Sequence, residues 1–261
     1  MNTQLHKLVL LCLTLLIAWA QAASAVELSA ASAVNKAGRQ RMLSQRIVKA
    51  YCQIGLGITP QLSKAQLSDA VQLFDAQLAE LKPFAVNHHG ETEIAKLEKS
   101  WRPVKATATA PVDRDNVKPL QANSEQLLDA AQQLTEALQK ASHIRIGRLV
   151  NISGRQRMLS QRLAKLYMLR AWGLDLPTLR SEIATAKTEF DGALQTLQAA
   201  AENTPALKQE LAAVAMQWEW FQSALSQEGA FSYGLLVANA SESILNSMEL
   251  ITDMYERLPE K

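Results

Sequence analysis

The chain is poor in cysteine, aromatic residues, glycine and proline, and it carries almost no net charge. Of its two cysteines, Cys12 lies in an N-terminal apolar run. A mature exported chain would keep Cys52 alone, with no internal disulfide and no cysteine pair for a cofactor. Aromatics make up 5% of the 261 residues, with only 10 glycines; together with abundant Ala, Leu and Gln this favours an all-α fold. Lys and Arg number 27 against 25 Asp and Glu, a net charge of +2. That lacks the basic excess a nucleic-acid or anionic-membrane surface requires. A nucleophile motif, a His-Glu-x-x-His pair and a phosphate-binding glycine loop are all missing, so no catalytic residue or cofactor is expected. His88-His89 has no Cys and no third His nearby, so no metal site is expected either.

One long apolar run is present, and it is N-terminal. Lys7 precedes 13 apolar or Thr residues, Leu8 to Ala20, and Ala23-Ser24-Ala25 follows as a small-x-small cleavage site. The pattern is that of a signal peptide, and the run falls short of the ~20 residues a spanning helix needs. Residues 1–25 are therefore expected to be removed after Ala25 on export to the periplasm, an uncleaved membrane anchor being the alternative. The loss of Lys7 leaves 26 basic against 25 acidic residues.

What is abundant is repetition. Gly-Arg-Gln-Arg-Met-Leu-Ser-Gln-Arg stands at Gly38 to Arg46 and again at Gly154 to Arg162, 116 residues later. At the same offset Asn35 matches Asn151, Lys49 matches Lys165, Tyr51 matches Tyr167, and Phe74-Asp75 matches Phe190-Asp191. Ala122-Asn123 is paired with Ala238-Asn239, and Trp101 with Trp218 after a one-residue slip. The repeat thus has the length of a domain, 26–145 and then 146–261.

Placed on a helix of about 100° per residue, each copy has two faces that look buried. Leu43, Ile47, Ala50 and Ile54 form an ordinary core stripe. Opposite, Val34, Gly38, Arg41, Gln45, Val48 and Cys52 advance in steps of four and three, a heptad seam. The second copy repeats it as Val150, Gly154, Arg157, Gln161, Ala164 and Met168. Gly38 and Gly154 permit close approach of two backbones. Arg41 and Arg157 are out of place, because a guanidinium on a seam must be paired or stay wet. Two facing arginines invite a planar oxyanion through fork-like, charge-assisted hydrogen bonds; snorkelling to solvent or pairing with a carboxylate of the same bundle is the other reading.

The Asn-x-x-Gly-Arg-Gln-Arg-Met-Leu-Ser-Gln-Arg stretch resembles that of PilJ-type sensor domains, found at the N-terminus of type IV pilus chemotaxis transducers and related to the sensor domains of nitrate/nitrite sensor kinases. The resemblance implies a periplasmic four-helix bundle with this stretch on its first helix. In the nitrate sensors the first helices of two subunits meet. There, an arginine three residues after the glycine and followed by methionine binds the anion. Those positions are Arg41 before Met42 and Arg157 before Met158. Arg39 and Gln40 follow the pilus-transducer version instead.

The remaining punctuation suggests four helices per copy. Gly55, Gly57 and Pro60 end the first helix, with Thr59 as cap of the next. Leu67, Val71, Phe74, Leu78 and Leu81 line the second, and Pro83 and Gly90 break the chain. Ile94, Leu97 and Trp101 mark the third, Thr107 to Pro111 a loop, and Leu120, Leu127, Leu134 and Leu138 the fourth. In the second copy, Gly173 and Pro177 end the motif helix, Thr204-Pro205 opens the third helix and Gly229 interrupts before the last. That last helix runs to about Arg257 through Leu236, Ile244, Met248 and Ile251. No proline separates the copies, and one glycine costs only about 1 kcal/mol in a helix. Continuity through Gly147 is thus favoured: two tandem four-helix bundles on one long continuous helix, with a hairpin near Gly147 as the alternative. Stacked copies would need a second chain, a homodimer through the motif helices, to pair their Arg41 seams, and Cys52 could then meet its symmetry mate.

The leading expectation is a periplasmic sensory protein for a small anion, nitrate or nitrite by resemblance, that hands its signal to a membrane sensor or transducer. Arg41 and Arg157 would be the anion ligands, Gly38, Gln45, Gly154 and Gln161 the supporting seam, and Arg39, Arg46, Arg155 and Arg162 the flanking positive residues. Those four fit bundle-edge ion pairs better than direct contact. The alternative is a helical scaffold that docks on a membrane receptor or pilus-related assembly with no ligand of its own.

Overall fold

A computed structural model of the chain describes residues 28–142, 145–174, 177–227 and 231–259. Its helices are α1 (Ala30–Gly55), α2 (Pro60–Asn87), α3 (Glu91–Ala108), α4 (Val117–Ser142), α5 (Arg145–Ala171), α6 (Leu179–Gln198), α7 (Pro205–Ser226) and α8 (Phe231–Glu256), with a 3-10 turn at Arg114–Asn116. The described residues contain no strand. Helices α1 to α4 pack as one four-helix bundle and α5 to α8 as another. The signal segment and Gly229 lie outside the described residues, and no described helix is long and apolar enough to cross a membrane.

The long continuous helix is corrected. Helix α4 ends at Ser142, α5 begins at Arg145, and α5 lies alongside α1 in the most extensive interface of the molecule. The physical reason is the seam itself. Val34, Arg41, Gln45, Val48 and Cys52 are fully buried, as are Arg157, Gln161, Ala164 and Met168. End-to-end stacking in a single chain would leave both seams in water, whereas the side-by-side arrangement removes both. The face that would have joined two chains is occupied by the chain's own second copy, and Cys52 is buried there as a free thiol.

Side-chain caps fix two of the helix starts. Ser29 and Thr204 cap α1 and α7 by accepting from the N–H of Ser32 and Leu207, each at 3.2 Å. Thr59 precedes α2 but does not cap it through its side chain. It sits in the left-handed region at φ 40, after Gly57 at φ 71, within a tight reversal. Pro83 does not break α2, which continues to Asn87. The lost N–H bond is outweighed by packing on either side, where Leu81 and Ala85 are fully buried. Helix α3 likewise runs on to Ala108. Leu236 is 52% exposed and does not belong to the core.

The repeated Phe-Asp and Trp residues form one device in each bundle. Trp101 stacks on Phe74 at 3.9 Å and donates Nε1–H to Asp75 Oδ1 at 2.8 Å. Trp218 stacks on Phe190 at 4.0 Å and donates to Asp191 Oδ1 at 2.6 Å. Both rings thus meet their polar and apolar requirements inside the bundle.

Beyond the tryptophans the one-residue slip persists, so α4 and α8 correspond at an offset of 117. Ser124 and Ser241 bond back to the preceding turn at 2.8 Å, and Thr135 and Thr252 do the same at 2.7 and 2.6 Å. Glu125 and Glu242 bind equivalent cations. The match of Ala122-Asn123 with Ala238-Asn239 is therefore off by one residue.

Candidate functional site

Helices α1 and α5 run side by side about a pseudo-twofold axis, and Gly38 and Gly154 lie beneath the arginines on their facing sides. A Cβ placed on Gly38 would lie 3.0 Å from Arg41 Nη2 and 3.8 Å from Arg157 Nη2. One placed on Gly154 would lie 3.0 Å from Arg157 Nη2 and 3.4 Å from Arg41 Nη2. Both guanidiniums therefore lie over both glycines, and glycine leaves the room they occupy.

Each arginine reaches across to the asparagine that opens the other copy of the motif. Arg41 donates Nη2–H to Asn151 O at 3.2 Å, and Arg157 donates to Asn35 O at 3.4 Å and Asn35 Oδ1 at 2.8 Å. The remaining contacts differ. Arg157 Nη1 donates to Glu249 Oε2 at 2.5 Å, whereas Arg41 Nη1 donates to the neutral Gln132 Oε1 at 2.7 Å. Burial, then Arg155 and Arg157, push the Arg41 guanidinium down to about 9. Burial also lowers Arg157, opposed by Glu249. Burial would raise the Glu249 carboxyl, but Arg157 and Arg39 outweigh it and hold it below the usual range. The two halves of the seam are chemically unequal.

Gln45 and Gln161 are fully buried beside the arginines. Gln45 donates to Ser44 Oγ at 3.0 Å and Gln161 to Ser241 O at 3.0 Å. The four flanking arginines are ion-paired at the bundle edges: Arg39 with Glu249, Arg46 with Glu242, Arg155 with Glu189, and Arg162 with Glu125 and Glu182.

Several members of this network escape a reading of the sequence. Lys49 and Lys165 are fully buried, Lys49 against Glu242 and Lys165 against Glu125 at 2.5 Å. Burial pushes Lys49 down to about 8 and lowers Lys165 as well, with the glutamates opposing. Each glutamate lies on the fourth helix of one bundle and its cations on the first helix of the other, so the pair cross-braces the repeats. The signal was in the sequence, since Lys49 matches Lys165, but Glu125 and Glu242 match only at the slipped offset.

Groups of three or more His, Cys, Asp or Glu suited to a metal are absent among the described residues. A cleft of about 440 Å³ opens between α4, α5 and α6, with Gln132, Arg155 and Arg162 in its wall.

No curated protein and no solved structure matches this chain. The PilJ family model, described as the type IV pili methyl-accepting chemotaxis transducer N-term, matches residues 22–134 and again residues 142–234. Each match contains one copy of the nine-residue stretch, and together they span most of the chain. The protein therefore belongs to the PilJ family of sensory, non-catalytic transducer domains and carries two copies of that domain in tandem.

Proposed function

We propose that this chain is a periplasmic sensory protein for a small oxyanion, nitrate or nitrite being the best candidates, and that it passes its signal to a membrane transducer. The observation that carries this reading is the pair of fully buried guanidiniums, Arg41 and Arg157, converging over Gly38 and Gly154 within one chain. Guanidiniums away from water hold a planar oxyanion far better than exposed ones. Export with removal of residues 1–25 belongs to the same reading, as does division into a first domain over 26–145 and a second over 146–261. Because both arginines already bind protein groups, an incoming anion would compete with an existing acceptor, and that competition would change how α1 and α5 are held to α4 and α8.

Thermal unfolding of residues 26–261 against nitrate, nitrite, sulfate and chloride tests this, with Arg41→Ala and Arg157→Ala alongside. A specific ligand at about 100 times its Kd adds roughly 2.7 kcal/mol. A selective rise in Tm that an arginine variant loses is the expected result. Equal responses to all four anions would sink the reading.

One feature favours docking instead. Trp220 and Met216, one turn apart on α7, are 76% and 65% exposed. The slipped offset puts Pro103 and Lys99 at these positions of α3. A scaffold without a ligand would show this apolar face and no selective anion response.

A further inference from the structure

The internal repeat supplies its own template for how this site holds an anion. On one side of the pseudo-twofold axis stand Arg157, Arg39 and Glu249; on the other, at equivalent positions, stand Arg41, Arg155 and Gln132. On the first side the Glu249 carboxylate, itself a planar oxyanion, is gripped by both guanidiniums. Arg39 donates Nε–H to Oε1 at 3.1 Å and Nη2–H to Oε2 at 2.5 Å, and Arg157 donates Nη1–H to Oε2 at 2.5 Å. On the second side no carboxylate fills that place. Arg41 is fully buried with only neutral acceptors among the described residues: Gly38 O, Gln132 Oε1 and Asn151 O. Arg155 is turned to Glu189 at 2.8 Å, and Gln132 gives its own amide N–H to Glu136.

Gln132 and Arg155 both face the cleft of about 440 Å³, so the half that lacks a carboxylate opens onto a cleft large enough for a small anion. The cleft constrains the charge of what enters. Glu125 and Glu182 are taken up by Arg162 and Lys165, and Glu189 by Arg155 until that arginine turns inward, but Asp129 also lines it. Such a wall admits a single negative charge more readily than two.

We propose that Arg41, Arg155 and Gln132 form the seat of a monovalent planar oxyanion that enters from the cleft and takes the place its internal counterpart Glu249 holds in the other half. Gln132 swings aside, the anion accepts from Arg41 Nη1, and Arg155 turns inward from Glu189 to close the fork, as Arg39 does. The opposite half is self-occupied, so one chain binds one anion. This inference rests on the oxyanion reading above and specifies which half of the seam takes the ligand.

The test is to tether the ligand. In Gln132→Glu, the new carboxylate should occupy the seat as Glu249 does. Its Tm without added anion should exceed that of the parent chain, and the response to nitrate, nitrite, formate and acetate should disappear. Arg155→Gln, which changes a partly exposed side chain and spares the core, should weaken the apparent affinity about tenfold or more, with its Tm without anion little changed. Chloride serves as the ionic-strength control and sulfate as the divalent one. A parent-chain response to the planar monovalent anions, lost in Gln132→Glu, supports the seat, and the larger of the nitrate and formate responses identifies an inorganic or a carboxylate source. A parent-chain response that survives unchanged in Gln132→Glu overturns the seat while leaving the oxyanion reading in force, because the anion then lies elsewhere on the seam. No selective response in the parent chain overturns that reading, and the seat with it.

Discussion

At the scale of the residue, the buried cations of the seam do two different jobs. Lys49 and Lys165 are closed off with a glutamate each and tie one bundle to the other, while Arg41 faces neutral acceptors. The bracing lysines should leave a pH signature. Lys49 is pushed from 10.5 down to about 8 by burial, so between those values the unfolded chain holds a proton that the folded chain has released. Stability from this group is then fully present above pH 10.5 and is lost as pH falls through about 8. Lys49→Met removes the titration. Urea unfolding of both proteins at pH 7.5, 9 and 10.5 should show the parent chain gaining on the variant as pH rises. A constant difference would mean that Lys49 is not held as a buried charge. The pairing of Lys49 with Lys165 was visible as a repeat, but their burial was not, because a lysine at a helix edge is ordinarily exposed.

At the scale of the element, the heptad seam was legible because the pattern of four and three reports a buried face whatever covers it. What covers it was not legible, since spacing is silent on which helix returns to which. A linker without proline, from Gln139 to Asn151, therefore read as continuous. Pro83 was misread for a related reason: propensity counts the lost hydrogen bond and omits the packing of Leu81 and Ala85 around it. The Gln132–Glu249 asymmetry was hidden by the one-residue slip. The glycines test the seam as an element. Replacing an exposed helical glycine by alanine gains up to ~1 kcal/mol, and Gly192, with open space around it, should behave that way. A Cβ at Gly38 would meet Arg41 Nη2 at 3.0 Å, and that guanidinium is anchored on Asn151 and Gln132. Gly38→Ala should instead cost ~1–3 kcal/mol, the range for overpacking. Equal gains at both sites in urea unfolding would show that the crossing of α1 and α5 is loose.

At the scale of the whole molecule, the chain encloses within itself an interface that one copy of the domain would have to find in a second chain. Its cross-braces are reciprocal: Glu242 serves Arg46 and Lys49, and Glu125 serves Arg162 and Lys165. Because Arg46 and Lys49 are the first-copy equivalents of Arg162 and Lys165, the first bundle already holds a matching acid and matching cations. A separate chain of residues 28–142 would expose Val34, Val48 and Cys52 and leave Arg41 without Asn151. Two such chains, packed α1 against α1, would restore every one of these contacts by symmetry, with each Glu125 reaching the partner's Lys49. Sedimentation should therefore find residues 28–142 as a dimer and the full chain as a monomer. Glu125→Gln should weaken that dimer, because it strands a lysine ammonium that packing would hold away from water. A half-chain that stays monomeric and folded would show that the seam needs the inequality between Gln132 and Glu249 to close. The two copies would then be complementary partners in place of interchangeable ones.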